Sequence, residues 1–380
     1  MKKKYIILSI IVLVLLITFV TSFNYFKTSN NYVEDSVNNQ TKIIKGISMN
    51  LEQTAGAGDY KTVTQSSWPT EGYKFNTELS RCENGSTLSW DDSKKAVVMN
   101  GNVSDKCYVY FDKVLTLANY VISQYTGIQG ENSLYYHDSN LANGVGDNSY
   151  RYAGASDSVN NYICLGSDAA TCPDDNLFRI IGVFGAQTKV IRAKSVGNQK
   201  WDTSSSNKWS SSSLNTYLNG TYLTSLGTLK NKIATTTWKV GGGTPANISE
   251  VVPATAYKNE VGSSASRTIV NKKIGLMYVT DYYYSASPSA WTLVGYNSSD
   301  TTKDYRVAKT INWLYLGSYE WTISCHSGTS YSAFGVGNLG YVSGYFDVST
   351  SSAVRPTFNL ESSVKYVSGS GSMSDPVRVN

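Results

Sequence analysis

Leu177-Phe-Arg-Ile-Ile-Gly-Val-Phe184 decides the fold: its single charge is Arg179, and the rest is apolar or glycine. A run this short and this apolar predicts a central strand, because both of its faces need shielding from water. Lys189-Val-Ile-Arg-Ala-Lys194 follows, roughly alternating, and predicts the partner of a hairpin. Further along, Ile274-Gly-Leu-Met-Tyr-Val-Thr280 reads as another buried strand, with Asp281-Tyr-Tyr-Tyr284 as its wet end. Between them, Trp209-Ser-Ser-Ser-Ser-Leu-Asn-Thr-Tyr-Leu-Asn-Gly220 carries the marks of a short capped helix. Its serines offer N-caps, Leu214, Tyr217 and Leu218 share a face, and Gly220 sits past the end. A second short helix is predicted from Leu229 to Ala234. The final third repeats strand and turn through Trp313, Trp321, Phe334 and Tyr341. It closes on Val354-Arg-Pro-Thr-Phe-Asn-Leu360 and Asp375-Pro-Val-Arg-Val379.

These stretches place a main domain at 161–380 and leave four segments ahead of it. Residues 114–160 predict a helix, Val114 to Gln124, and an ordered loop rich in Gly, Asn, Asp and Tyr. Residues 67–113 predict a small antiparallel β domain, from short runs such as Ser86-Thr-Leu-Ser-Trp90 and Lys106-Cys-Tyr-Val-Tyr-Phe111 between Asp/Asn/Gly breaks. Residues 27–66 read as a polar linker with a spacer at Ala55-Gly-Ala-Gly-Asp59. Residues 1–26 open on Lys2, Lys3 and Lys4 before an apolar run from Ile6 to Val20. From Tyr5 to Phe26 the chain is long enough to cross a hydrocarbon core, which takes about 20 residues. The segment predicts a transmembrane signal anchor with its N-terminus in the cytoplasm and all later domains outside. A cleaved secretory signal is the alternative, and it exports the same residues.

Composition narrows the function classes. The chain has 380 residues, 29 of them Tyr, and a formal charge of +5, three units of which come from Lys2, Lys3 and Lys4. No basic cluster with interleaved aromatics occurs, which disfavours nucleic acid. Five cysteines in an exported chain predict disulfides with one thiol over. Sequence proximity suggests Cys82–Cys107 and Cys164–Cys172, leaving Cys325 free, although other pairings remain open. No CxxC supports zinc, and Glu131, Asp138, Asp147 and Asp157 lack the tight spacing of a calcium loop. Neither a metal nor a cofactor is expected.

Three pieces of the main domain resemble a family of bacterial surface domains of unassigned function: Trp209-x-x-Ser-x-Leu-x-x-Tyr-Leu-Asn219, Glu320-Trp-Thr322 and Val354-Arg-Pro-Thr-Phe-Asn-Leu360. Their order is also similar to the C-type-lectin-like fold shared with formylglycine-generating enzymes. Asp105-Lys-Cys-Tyr-Val-Tyr-Phe-Asp112 looks like a companion domain of multi-domain surface proteins. Together with the segments above, the resemblance gives an expected α+β protein. An N-terminal transmembrane helix and a small disulfide-linked β unit are read from the residues. For the larger domain that follows, the resemblance implies a lectin-like fold with short helices around antiparallel strands. It implies no reaction, because the copper-binding cysteine pair of those enzymes and the Glu-Pro-Asn or Gln-Pro-Asp calcium motifs are missing.

Catalytic patterns are thin. Cys325-His326 are neighbours, and neighbours on a strand point to opposite faces. No Gly-x-Ser-x-Gly elbow occurs, and nothing singles out Asp281 with Glu320 as a carboxylate pair. Arg355 is expected to pair with an acid inside the fold. The chain therefore predicts a non-catalytic, membrane-anchored surface protein whose outer domain binds a glycan or protein partner. A structural or assembly component of the cell surface, stalk- or pilus-like, is the alternative. The expected binding face is Tyr282, Tyr283, Tyr284, Trp291 and Trp321, unless those rings fill the core.

Overall fold

The computed structural model describes residues 32–33, 42–43, 46–64, 67–69, 72–102, 104–262, 268–293 and 309–380. The chain divides into two units, Met1–Leu115 and Thr116–Asn380.

In the second unit the apolar octet is a strand, Leu177–Phe184, buried at every position but the last. It turns into Gln187–Arg192 as an antiparallel hairpin. Seven strands lie side by side in the order Ile274–Gly275, Thr357–Leu360, Gln187–Arg192, Leu177–Phe184, Tyr162–Cys164, Val377–Val379 and Tyr366–Ser368. Tyr150–Tyr152 also pairs with Leu177–Phe184, and Leu134–Tyr136 pairs beyond it. A β-carbon on Gly182 would stand 2.2 Å from the Tyr150 carbonyl oxygen, so only glycine lets that strand approach. Pairing is antiparallel except where Val377–Val379 joins Tyr162–Cys164 in parallel. A second sheet runs Asn198–Lys200, Ser351–Ala353, Glu320–Cys325, Ser332–Val336 and Val342–Asp347. The main apolar core of this unit runs from Leu117 to Val377, and a smaller cluster gathers Ala153, Tyr284 and Trp291.

The charges inside that core are neutralised by geometry. Arg179 donates to Asn161 Oδ1 at 2.6 Å and the Val159 carbonyl at 2.9 Å, and it lies 4.6 Å from the Trp313 ring centroid. Arg355 forks onto Glu320 through two bonds of 2.6 and 2.7 Å, supplying the internal acid its position calls for.

The α+β, lectin-like description is overturned. Strands dominate, and among the described residues the longest regular α-helix, Pro253–Glu260, has eight residues. No described helix is long and apolar enough to cross a membrane. The transmembrane helix expected over 1–26 lies outside the described residues. The physical reason for the strand excess is that most segments carry Ser, Thr, Asn and Gly in place of helix-length apolar periodicity. The 209–220 segment does turn helical at Ser213–Tyr217, where Ser212 Oγ accepts the Asn215 N–H. Asn219 then grips the Ile274 backbone, donating to its carbonyl at 2.8 Å and accepting its N–H at 3.0 Å.

The strand expected over 274–280 is cut short. Only Ile274–Gly275 is extended, and Val279–Tyr284 forms a helix. Carboxylates hold the free donors of its first turn: Asp281 accepts the Tyr278 N–H, and Glu260 accepts those of Val279 and Thr280.

The first unit is built on Cys107–Lys113, whose Cys107, Val109 and Phe111 point inward. Its sheet runs Tyr60–Val63, Ile47–Glu52, Cys107–Lys113 and Tyr73–Phe75, with Arg81–Cys82 also on the central strand. A separate hairpin joins Thr87–Asp91 to Ala96–Asn100. Residues 47–63, expected within the polar linker, are thus two strands of this sheet. Met49 and Leu51 are buried there, filling a core with Phe75, Val97, Val109 and Phe111.

Candidate functional site

Two loops meet beside the second sheet. One is Gly241-Gly-Gly243 after the strand Thr236–Val240, where φ of +77° and +71° at Gly241 and Gly242 requires glycine. The other is His326-Ser-Gly-Thr-Ser330, the turn between Glu320–Cys325 and Ser332–Val336. Asn207 fixes that turn by donating through its amide to the carbonyls of His326, Thr329 and Ser332. Ser327 donates backbone and side-chain bonds to the Gly243 carbonyl, at 2.7 and 3.0 Å, locking the loops together.

Between them lies a cavity of about 490 Å³, walled by Asn207, Trp209, Gly241, Gly242, His326 and Thr329 among others. Among the described residues Lys208 is the one formally charged side chain in its lining. His326 stacks on Phe334 at a centroid distance of 6.2 Å and meets Tyr345 at a tilt, 5.2 Å away. Its Nδ1 accepts the Gly328 N–H at 2.8 Å, which leaves the ring proton on Nε2. Burial lowers the imidazole below its usual range and keeps it neutral. His326 Nε2, Trp209 Nε1 and Thr329 Oγ1 are buried without a hydrogen-bond partner in the protein. Beside this wall, Tyr345 and Tyr331 are 65 % and 54 % exposed, uncommon for large rings among the described residues.

The residues expected to bind lie elsewhere. Tyr282, Tyr283, Tyr284, Trp291 and Trp321 are at most 1 % exposed. Each spends its polar atom on a backbone carbonyl: Gly340, Ile248, Asn143, Ala286 and Gln199 respectively. They are core, and they share no surface. The disulfides are Cys82–Cys107, across adjacent strands of the first unit, and Cys164–Cys172 in the second. Cys325 is a buried free thiol, and burial pushes it up to about 12. That leaves no thiolate for a dyad with His326. Asp281 and Glu320 are each held by their own cation, Lys189 and Arg355. Among the described residues no group of three or more His, Cys, Asp or Glu is placed to hold a metal.

The cavity was legible in one respect, since three consecutive glycines at 241–243 mark a turn of unusual backbone conformation, here positive φ at Gly241 and Gly242. Tyr345 and Asn207 carry no such signal. A larger depression of about 780 Å³ lies beside the Cys164–Cys172 loop, but its Arg378 is occupied by the Ser167 and Ala170 carbonyls.

The profile of the domain family DUF6273, a domain of unknown function, matches residues 186–362. This stretch contains the described cavity wall but not the strand Leu177–Phe184, nor Tyr162–Cys164 beside it, nor Val377–Val379 beyond that. No curated protein and no solved structure matches the chain.

Proposed function

We propose that this chain is a membrane-anchored, extracytoplasmic surface protein whose second unit binds a glycan at the His326 cavity. The observation that carries the reading is the cavity's chemistry. Hydroxyls, amide groups and bare glycine backbone line it, a neutral imidazole backs it, and exposed tyrosine rings stand beside it. Such a surface suits a polyol, whose hydroxyls take hydrogen bonds while its C–H faces stack on aromatic rings. Two disulfides favour an oxidising compartment, consistent with export behind the Lys2–Lys4 apolar segment.

The test is a glycan array probed with the detergent-solubilised full-length chain, with and without calcium. A saturable hit weakened at least about tenfold, or about 1.4 kcal/mol, by Tyr345→Ala and by His326→Ala supports the reading. No hit, together with concentration-dependent self-association, rejects it in favour of a structural component of the cell surface.

A further inference from the structure

We propose that Lys189 and Asp281 condense into an intramolecular amide, a covalent cross-link between the central hairpin and the helix Val279–Tyr284. The two residues are 92 positions apart, and the Lys189 ammonium donates to Asp281 Oδ2 in the interior. Their exposures are 5 % and 3 %. Three rings enclose the nitrogen, with the centroids of Tyr278, Phe184 and Trp238 at 4.6, 5.5 and 5.6 Å. Asp281 Oδ2 also accepts the Tyr278 N–H at 2.8 Å, which fixes the carboxyl plane, and Arg151 Nη1 stands 3.9 Å from Oδ1. The surrounding charges are Asp147, bonded to Arg151, and Glu260, whose field also acts on Lys189.

Away from water, an ammonium and a carboxylate are both poorly solvated. Burial pulls the Lys189 ammonium below its ordinary value, with Asp281 opposing. Passing one proton from Lys189 to Asp281 leaves an amine and a carboxylic acid in contact. The nitrogen lone pair attacks Cγ, the C–N bond forms, and the carbonyl electron pair moves onto Oδ1. That oxygen faces Arg151, whose guanidinium stabilises the developing charge. As the carbonyl re-forms, the C–Oδ2 bond breaks, and a second proton from nitrogen departs with Oδ2 as water. Ammonium plus carboxylate thus becomes amide plus one water, with no oxidant, reductant or co-reactant. In solution the balance disfavours condensation. Partners fixed in contact gain an effective concentration on the order of 10⁵–10⁸ M. The cavity of about 160 Å³ lined by Lys189, Arg151, Asp281 and Tyr278 offers space for the released water.

The test is mass spectrometry of the full-length chain after denaturation, disulfide reduction and trypsin digestion. Residues 180–192 and 274–303 are expected in one branched peptide, lighter than their sum by one water and uncut after Lys189. Lys189→Arg and Asp281→Ala should each abolish it, and the readout holds even for a variant that misfolds. Cleavage after Lys189, with both peptides recovered separately at full mass, overturns the proposal. So does a water lost within a single peptide.

Discussion

Arg179 shows how a charge survives in an eight-residue apolar strand: five oxygen acceptors and two aromatic faces stand in for water. Arg355 follows the same rule with a carboxylate partner. Replacing Arg355 by Ala strands Glu320 in the core, a change that costs about 3–5 kcal/mol. A thermal melt of the second unit unchanged within error would refute that. His137 acts in the opposite sense. Burial, with Arg151 adding to it, pushes the imidazole down to about 3, and it packs against Tyr284 and Trp291 at 5.0 and 5.2 Å. A base depressed on folding is neutral in the native state and protonated in the unfolded one. Its contribution is whole above the unfolded value near 6.5 and is lost as pH falls from there towards about 3. The slope is about 1.4 kcal/mol per pH unit. Denaturant midpoints across that window should fall more steeply in the native chain than in His137→Gln.

Helix Val279–Tyr284 illustrates what periodicity could not reveal. Its sequence is β-branched and aromatic, and reading it as the end of a strand is what local propensity recommends. The structure reverses that through Glu260, which arrives from a different helix to take two backbone N–H groups and the hydroxyls of Thr280 and Ser324. Glu260→Ala would leave those donors buried and unmatched, at about 1–3 kcal/mol for each one that water cannot reach. The expected signature is a lowered denaturant midpoint with little change in slope. An unaltered midpoint would mean that water replaces the carboxylate. By contrast, the Leu177–Phe184 and Lys189-containing hairpin was plain in the sequence, because double-sided burial leaves its mark in every residue. In the first unit, Ile47, Met49 and Leu51 alternate with polar residues and carried the strand signal, which the surrounding spacer composition obscured.

At the scale of the molecule, each unit has its own core, so two unfolding transitions are expected. Cys82–Cys107 closes 25 residues of the smaller one and is worth about 3–4 kcal/mol by chain entropy. Reduction should therefore lower the first unit's transition more than the second's, as read by calorimetry with and without reductant. Equal shifts would contradict this. The His326 cavity was barely legible because residues 207, 241–243, 326–330 and 345 lie far apart in the chain and meet only in the fold. Composition offered abundant tyrosine without saying which rings stay outside. The position of Val377–Val379 between Tyr162–Cys164 and Tyr366–Ser368 carries a consequence in time. At a synthesis rate of about 5–20 residues per second, the first unit has all its described strands once Lys113 emerges, while the second waits until Val379 does. Until then Tyr162–Cys164 offers an unzipped edge to any passing chain, so the hazard of misassembly falls on the newborn protein and ends when Val377–Val379 slots home.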